Sequence, residues 1–241
     1  EQGNSLYYVF EDGARAENTW VLVDEADGNG HEAGWYYFGG NGKAYRGTDS
    51  SFKRTVDGRR YIFDESGLML TGWFDEDGNP LGEDDNPLED GVYYADEDGA
   101  LKTESWLDYS QLELKGLEEL SSDISGRNYD EYDQVWLYFN NQSKKVKSNG
   151  DRLIQRNIGG GTYGFDEYGI MLPWWTQVAS VSNADKSKPT SDIPTRFYAG
   201  YDGGSLQRNV WLWMYPSDNL IQDDFNDGEY SWWRTDQNGE V

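Results

Sequence analysis

The sequence predicts an all-β fold, a β-hairpin repeat solenoid with irregular loop insertions and one candidate short helix. Three features predict it: apolar content that is largely aromatic, glycines set at polar corners, and a strand–corner–strand unit that recurs along the chain. Hydrophobic residues make up only 36% of the 241 residues, yet 16% are aromatic, with 11 Trp, 18 Tyr and 9 Phe. Aromatic side chains bury large areas each and suit flat, repetitive packing, so a thin core can still be stable. The 29 glycines point to many turns.

Aligned on an aromatic pair, a polar corner and a following strand, the units run LYYVFEDGARAENTW from Leu6, WYYFGGNGKAY from Trp35 and RYIFDESGLMLTGWF from Arg60. They continue with VYYADEDGALKTESW from Val92, WLYFNNQSKKV from Trp136, TYGFDEYGIMLPWW from Thr162 and RFYAGYDGGSLQRNVW from Arg196. A last half-unit, WWRTDQNGEV, starts at Trp232. The corner glycines are Gly13, Gly42, Gly67, Gly99, Gly169, Gly204 and Gly239, and Ser143 stands in the fifth unit where a glycine is expected. Corners of this kind need positive φ, and the flanking aromatics favour a pleated surface, so each unit reads as a β-hairpin. A lone hairpin is marginal in water; stacked in series, each buries its aromatic face on the next.

The connectors differ in length. Residues 24–33, 75–90 and 216–228 read as acidic, glycine-bearing loops, and 180–195 as a surface loop. LELKGLEEL, Leu112 to Leu120, has helix-like apolar spacing and is the candidate helix. Repeats one to four then occupy residues 1–110, an insertion 111–133, and repeats five to eight 134–241, within one continuous repeat domain.

With 20 basic and 45 acidic residues the net charge is −25. Such a field repels phosphate backbones and anionic membrane surfaces, which argues against nucleic acid, and it attracts cations. Cysteine is absent, which removes disulfides and thiolate metal sites. No run approaches the ~18 apolar residues of a membrane span. The sequence starts at Glu1 without methionine or a visible signal peptide, as a mature or shortened form would.

At GRRYIFDESGLMLTGWF, Gly58 to Phe74, the chain resembles the cell-wall-binding repeats of Gram-positive surface proteins. That family includes choline-binding modules, glucan-binding repeats and the receptor-binding tails of clostridial toxins. The carriers are an aromatic strand, a corner glycine, an apolar residue and Thr-Gly-Trp; the third, fourth and sixth units match closely, although most spacings here exceed the family's. The resemblance implies a hairpin solenoid that attaches, without catalysis, to a cell-wall polymer or glycan outside the cell or on the bacterial surface. In choline-binding members it also implies cages built from the Trp that closes one unit, the Trp that opens the next and a nearby Tyr. A quaternary ammonium makes no hydrogen bonds, so ring faces must hold it.

Closing candidates are Trp20, Trp73, Trp106, Trp174 or Trp175, and Trp211; the opening positions hold Leu6, Trp35, Arg60, Val92, Trp136, Thr162, Arg196 and Trp232. Both partners are aromatic at three junctions: Trp20 with Trp35, Trp106 with Trp136, and Trp211 with Trp232. These six are the expected ligand-binding residues. Each is equally what a thin core would use as packing. No cofactor, catalytic residue or metal ligand is expected. His31 is the sole histidine, without a nucleophile motif near it. The Asp75, Asp77, Asn79 run starts like a calcium loop, but Pro80 stands where glycine is needed. Gly159–Gly161 fits no phosphate-binding pattern. The leading function is a binding module for a cell-wall polymer or neutral carbohydrate through aromatic platforms. Its alternatives are choline binding and a structural spacer or adhesin that meets a protein partner.

Overall fold

The structure, a computed structural model, describes residues 5–26, 31–48, 51–112, 114–122, 127–129, 134–149, 153–172, 175–179, 195–199, 203–214 and 229–239. The loop expected at 180–195, apart from Thr195, which begins a strand, the loop expected at 216–228, and Trp174 lie outside the described residues.

The corners set the geometry. Gly13, Gly42, Gly67, Gly99, Gly169, Gly204 and Gly239 all take left-handed φ, between 70 and 99°, and Ser143 adopts φ 64° in the glycine's place. Gly78, φ 88°, is a further corner inside what reads as an acidic loop. The glycine amide donates to the carbonyl three residues back, as from Gly99 to Asp96 at 2.8 Å and from Gly169 to Asp166 at 3.2 Å. An Asp or Asn at that earlier position completes the turn with its side chain. Asp64 Oδ1 accepts the amides of Gly67 (2.7 Å) and Leu68 (2.8 Å), and Asn140 Oδ1 those of Gln142 (2.8 Å) and Lys144 (3.1 Å). Asp75 does the same for Asp77 and Asn79, which commits the carboxylate of the calcium-like run to its own corner. Part of the acidic excess is therefore turn chemistry.

The strands are β1 (Thr19–Val23), β2 (Gly34–Phe38), β3 (Lys53–Val56), β4 (Arg59–Phe63), β5 (Met69–Leu70), β6 (Gly72–Phe74), β7 (Tyr93–Ala95) and β8 (Ser105–Asp108). They continue as β9 (Ser121–Ser122), β10 (Arg127–Asn128), β11 (Trp136–Phe139), β12 (Ile154–Ile158), β13 (Gly161–Phe165), β14 (Trp175–Ala179), β15 (Thr195–Ala199), β16 (Trp211–Met214) and β17 (Ser231–Arg234). They form β1–β2, β3–β4–β5, β6–β7, β8–β11, β9–β10, β12–β13, β14–β15 and β16–β17 sheets. Tyr61, Tyr93 and Tyr163 lie on the first arms β4, β7 and β13. The fold is an all-β series of hairpins.

The hairpins are paired differently from the simplest reading of the repeat. Most arms flanking a corner share one bridge, as in Phe38↔Ala44, Ala95↔Leu101, Phe139↔Lys145 and Phe165↔Met171. The longer ladders instead join a Trp-bearing strand to the opening strand of the next unit: Trp20↔Tyr37 in β1–β2 and Trp73↔Tyr94 in β6–β7. The cause is a left-handed residue just before each Trp: Asn18 (φ 49°), Gly72 (91°), Glu104 (47°) and Asn209 (56°). It turns the second arm away from its own corner and into a new pair.

The chain divides into two compact units, residues 1–105 with 139–145 and residues 106–138 with 146–241. Within each, successive repeats are tied by one backbone bond to the opening residue of the preceding repeat. In the first unit Ala44 donates to Leu6, Leu101 to Arg60 and Lys145 to Val92; in the second, Met171 donates to Trp136 and Leu206 to Thr162. The first unit's core is a row of clusters. Tyr36 and Phe38 pack with Val21, Tyr61 and Phe63 with Tyr37 and Val56, and Ile62 and Phe74 with Tyr93 and Leu101. In the second unit Phe165, Val146 and Met171 form the corresponding cluster.

The candidate helix at 112–120 is not an α-helix. Two 3₁₀ turns stand there instead, Tyr109–Leu112 and Leu117–Glu119. Leu114 (φ 50°) and Gly116 (φ 79°) are left-handed, which interrupts any α-helical ladder between them. Glu113 lies outside the described residues.

In the second unit Asp166 is fully buried; its Oδ1 accepts the Tyr168 and Ile170 amides at 3.0 and 2.8 Å, and its Oδ2 accepts the Tyr129 hydroxyl. Burial pushes its carboxyl up to about 6, partly offset by those hydrogen bonds. The folded chain thus keeps this proton where an unfolded carboxyl has lost it, so its stabilising effect is full below about pH 4 and fades as pH rises through 6. The stability difference between the native chain and Asp166→Asn, read from urea midpoints, should shift against the native chain from pH 4.5 to 7.5. A second expected outcome concerns Gly99, whose φ is 77° and whose added Cβ would meet the Met69 sulfur. Gly99→Ala should cost about 1–3 kcal/mol in urea unfolding.

Candidate functional site

The best-formed aromatic site gathers around Trp20. Register places Trp20 opposite Tyr37 and Leu22 opposite Trp35, so both Trp rings emerge from one face of β1–β2 on a diagonal. Trp20 meets Tyr37 at 5.1 Å and Tyr61 of the next repeat at 4.8 Å, both edge-on, and stacks on Phe63 at 5.9 Å and 23°. Met69 packs against the same cluster. Corner glycine Gly99 leaves the room for it.

Beside this cluster lies an open cavity of about 280 Å³ lined by Trp20, Trp35, Tyr61, Met69, Glu97 and Asp98. Its wall is aromatic and thioether, and its rim carries two carboxylates. Trp35 is 44% exposed and Tyr61 8%, so one ring is open to an incoming ligand and one is held by the core. The Tyr37 phenol is pushed up chiefly by burial, with Tyr45 and Asp57 adding to it, and so stays neutral at neutral pH. Neutral, electron-rich faces beneath an anionic rim favour a cation with little hydration.

The same constellation recurs in the second unit. Trp106 lies 5.0 Å from Tyr138 and 4.9 Å from Tyr163, and stacks on Phe165 at 5.9 Å and 24°. Trp136, half-buried, and Met171 belong to its cluster. Gly204 yields space to Met171 as Gly99 does to Met69. Of the sequence-expected pairs, Trp20 and Trp35 line one cavity, and Trp106 and Trp136 pack in one cluster.

The third pair is arranged otherwise. In β16–β17 Trp211 stands opposite Arg234 and Trp232 opposite Trp213, all on one face. The Arg234 guanidinium lies 5.8 Å from the Trp211 ring, and Trp213 meets Trp232 at 5.5 Å. Trp211 and Trp232 are 59% and 62% exposed, so this is an open platform with a cation already on it.

Tyr61, Met69, Glu97, Asp98 and their counterparts Tyr163 and Met171 were absent from the sequence-expected set. A constant offset marks some of them: Tyr61 and Tyr163 stand six residues before Gly67 and Gly169, Met69 and Met171 two residues after. The carboxylates carry no such sign among so many others. A larger cleft of about 560 Å³ lies between the corners at Asp64 and Asp77. Asp64 there is occupied by Ser66, Gly67 and Leu68, and Phe63 is buried, so the cleft presents less ring surface to a ligand.

No protein-family model matches the chain, and no curated protein matches it. Among solved structures it is similar to CbpF in complex with ipratropium, at 20% identity and TM-score 0.46, over 97% of this chain and 55% of that one. It is also similar to the modular autolysin LytC from Streptococcus pneumoniae in complex with synthetic peptidoglycan ligand (16%, TM-score 0.42, 96% of this chain and 42% of that one). A third is the choline-binding domain of CbpL from Streptococcus pneumoniae (16%, TM-score 0.43, 100% of this chain and 93% of that one). The chain spans about half the length of the first two.

If Trp106 is a wedge between hairpins and Trp232 a surface ring, their removal should differ sharply. Trp106→Ala should cost about 3–5 kcal/mol in urea unfolding and Trp232→Ala less than about 1.

Proposed function

We propose that this chain is a non-catalytic module that attaches to a cell-wall polymer by holding quaternary ammonium groups, choline the foremost, in the cages at Trp20 and Trp106. The observation that carries the proposal is the cavity lined by Trp20, Trp35, Tyr61 and Met69, with Glu97 and Asp98 at its rim. Rings hold the cation face-on, worth up to about 2 kcal/mol or more when desolvated. Met69 completes an apolar wall without competing donors, and the carboxylates balance the charge across the rim. The net charge of −25 draws cations toward the surface and keeps bare phosphate chains away. Residues supporting catalysis are not part of this reading, and the module's place is outside the cell, on a bacterial surface. Among the described residues no helix is long and apolar enough to cross a membrane.

A second reading rests on the exposed face of Trp211, Trp213 and Trp232. Open ring faces of this kind stack on sugar rings, so the same module would touch the neutral glycan of the polymer there.

Choline titrated into the chain should quench or shift tryptophan fluorescence with saturation. At a hundredfold excess over Kd it should raise Tm by roughly 5–10 °C, the equivalent of about 2.7 kcal/mol. Trp35→Ala should weaken binding at the Trp20 cage at least tenfold while changing stability by less than about 1 kcal/mol. No saturable response to choline at 100 mM (roughly the weakest affinity of use to a surface anchor) would sink the reading.

A further inference from the structure

The Trp73 junction already holds a cation. We propose that Lys145 is the tethered occupant of this junction: the site takes the chain's own primary ammonium and is thereby closed to external quaternary ammonium. The inference rests on reading the Trp20 and Trp106 clusters as cation cages, and it concerns a junction that reading leaves aside.

Pairing around the corners places Lys145 where those cages have methionine. Phe63 pairs with Met69 and Phe165 with Met171; Phe139 pairs with Lys145. Trp73 is the closing ring here, 4.9 Å from Tyr94 and 6.0 Å from Phe139. The Lys145 ammonium lies 5.7 Å from the Trp73 centroid, within cation–π range, and the residue is only 6% exposed. It donates to the carbonyls of Pro87 and Leu88 at 3.1 and 2.6 Å. Those carbonyls come from the acidic 75–90 segment, which packs so closely that an added Cβ on Gly91 would meet both the Trp73 ring and the Pro87 carbonyl.

The chemistry of the two kinds of site differs in one respect. An ammonium with N–H groups must find acceptors when it leaves water, and this junction supplies two carbonyls. A trimethylammonium has no N–H and would leave the Leu88 carbonyl without its donor, while Pro87 would keep only the Gly91 amide. The Trp20 cavity is lined by rings, a thioether and rim carboxylates, which suits a cation that needs no hydrogen bonds. The opening position agrees, since Val92 stands where the two cages carry Trp35 and Trp136. One position therefore sorts the junctions: methionine where a cation is to be received, lysine where one is built in.

The test is chemical rescue. Lys145→Ala should lower Tm by roughly 5 °C or more, since the buried Leu88 carbonyl loses its donor and Pro87 keeps only the Gly91 amide. Ethylammonium chloride should restore most of that loss with saturation, beyond the effect of NaCl at equal ionic strength, and leave the native chain unmoved. Tetramethylammonium should not restore it. Lys145→Met, which fills the space, should be destabilised and insensitive to ethylammonium. If Lys145→Ala does not fold, refolding yield in ethylammonium against NaCl replaces Tm as the readout. Equal rescue by both cations, or none by ethylammonium, overturns the proposal. Choline-induced fluorescence change in the native chain and in Lys145→Met is read alongside. It reports the Trp20 and Trp106 cages, so its loss in both proteins would count against the cage reading while the rescue result stands on its own.

Discussion

The tryptophan wedged between consecutive hairpins is the interaction on which the rest depends. Trp20 and Trp106 each meet a tyrosine across their own strand pair, then a tyrosine and a phenylalanine of the following repeat, with nearly the same distances and angles. Two-stranded ribbons cannot bury enough surface alone. A flat indole supplies the missing area in one residue, as at Trp20, Trp73 and Trp106, which lets a chain with few aliphatic residues keep a core. The Trp20 ring also lines the cavity it shares with Trp35 and Tyr61. Packing and the cavity wall thus draw on one residue type.

Charge serves the same scheme at two scales. Locally, corner Asp and Asn side chains accept backbone amides and hold left-handed glycines in place, so acidic residues are a structural requirement of each repeat. Globally, their sum leaves a field that favours cations. A cation enclosed by the chain itself lies within reach of the Trp73 ring at Lys145, and Arg234 lies near the exposed Trp211 ring while Trp213 and Trp232 stay open.

The repeat and its corners were legible because they are local: a positive-φ residue, an Asx side chain and alternating aromatics act within ten residues. The pairing was less so. Asn18, Gly72, Glu104 and Asn209 turn the chain before each Trp, and only Gly72 and the asparagines belong to types that favour such a turn. Glu104 gives no sign of it. The 112–120 stretch shows the opposite failure, in which apolar spacing suggested a helix that Leu114 and Gly116 break.

The sequence by itself determined the class of fold and the corner positions, because each follows from near-neighbour chemistry and periodic spacing. Tertiary structure alone decided which rings share a cavity, that Trp232 faces Trp213, and that Lys145 sits against Trp73 beneath carbonyls more than fifty residues away. Those outcomes depend on which repeat stacks on which and on how a long connector folds over the junction, and no local periodicity encodes either.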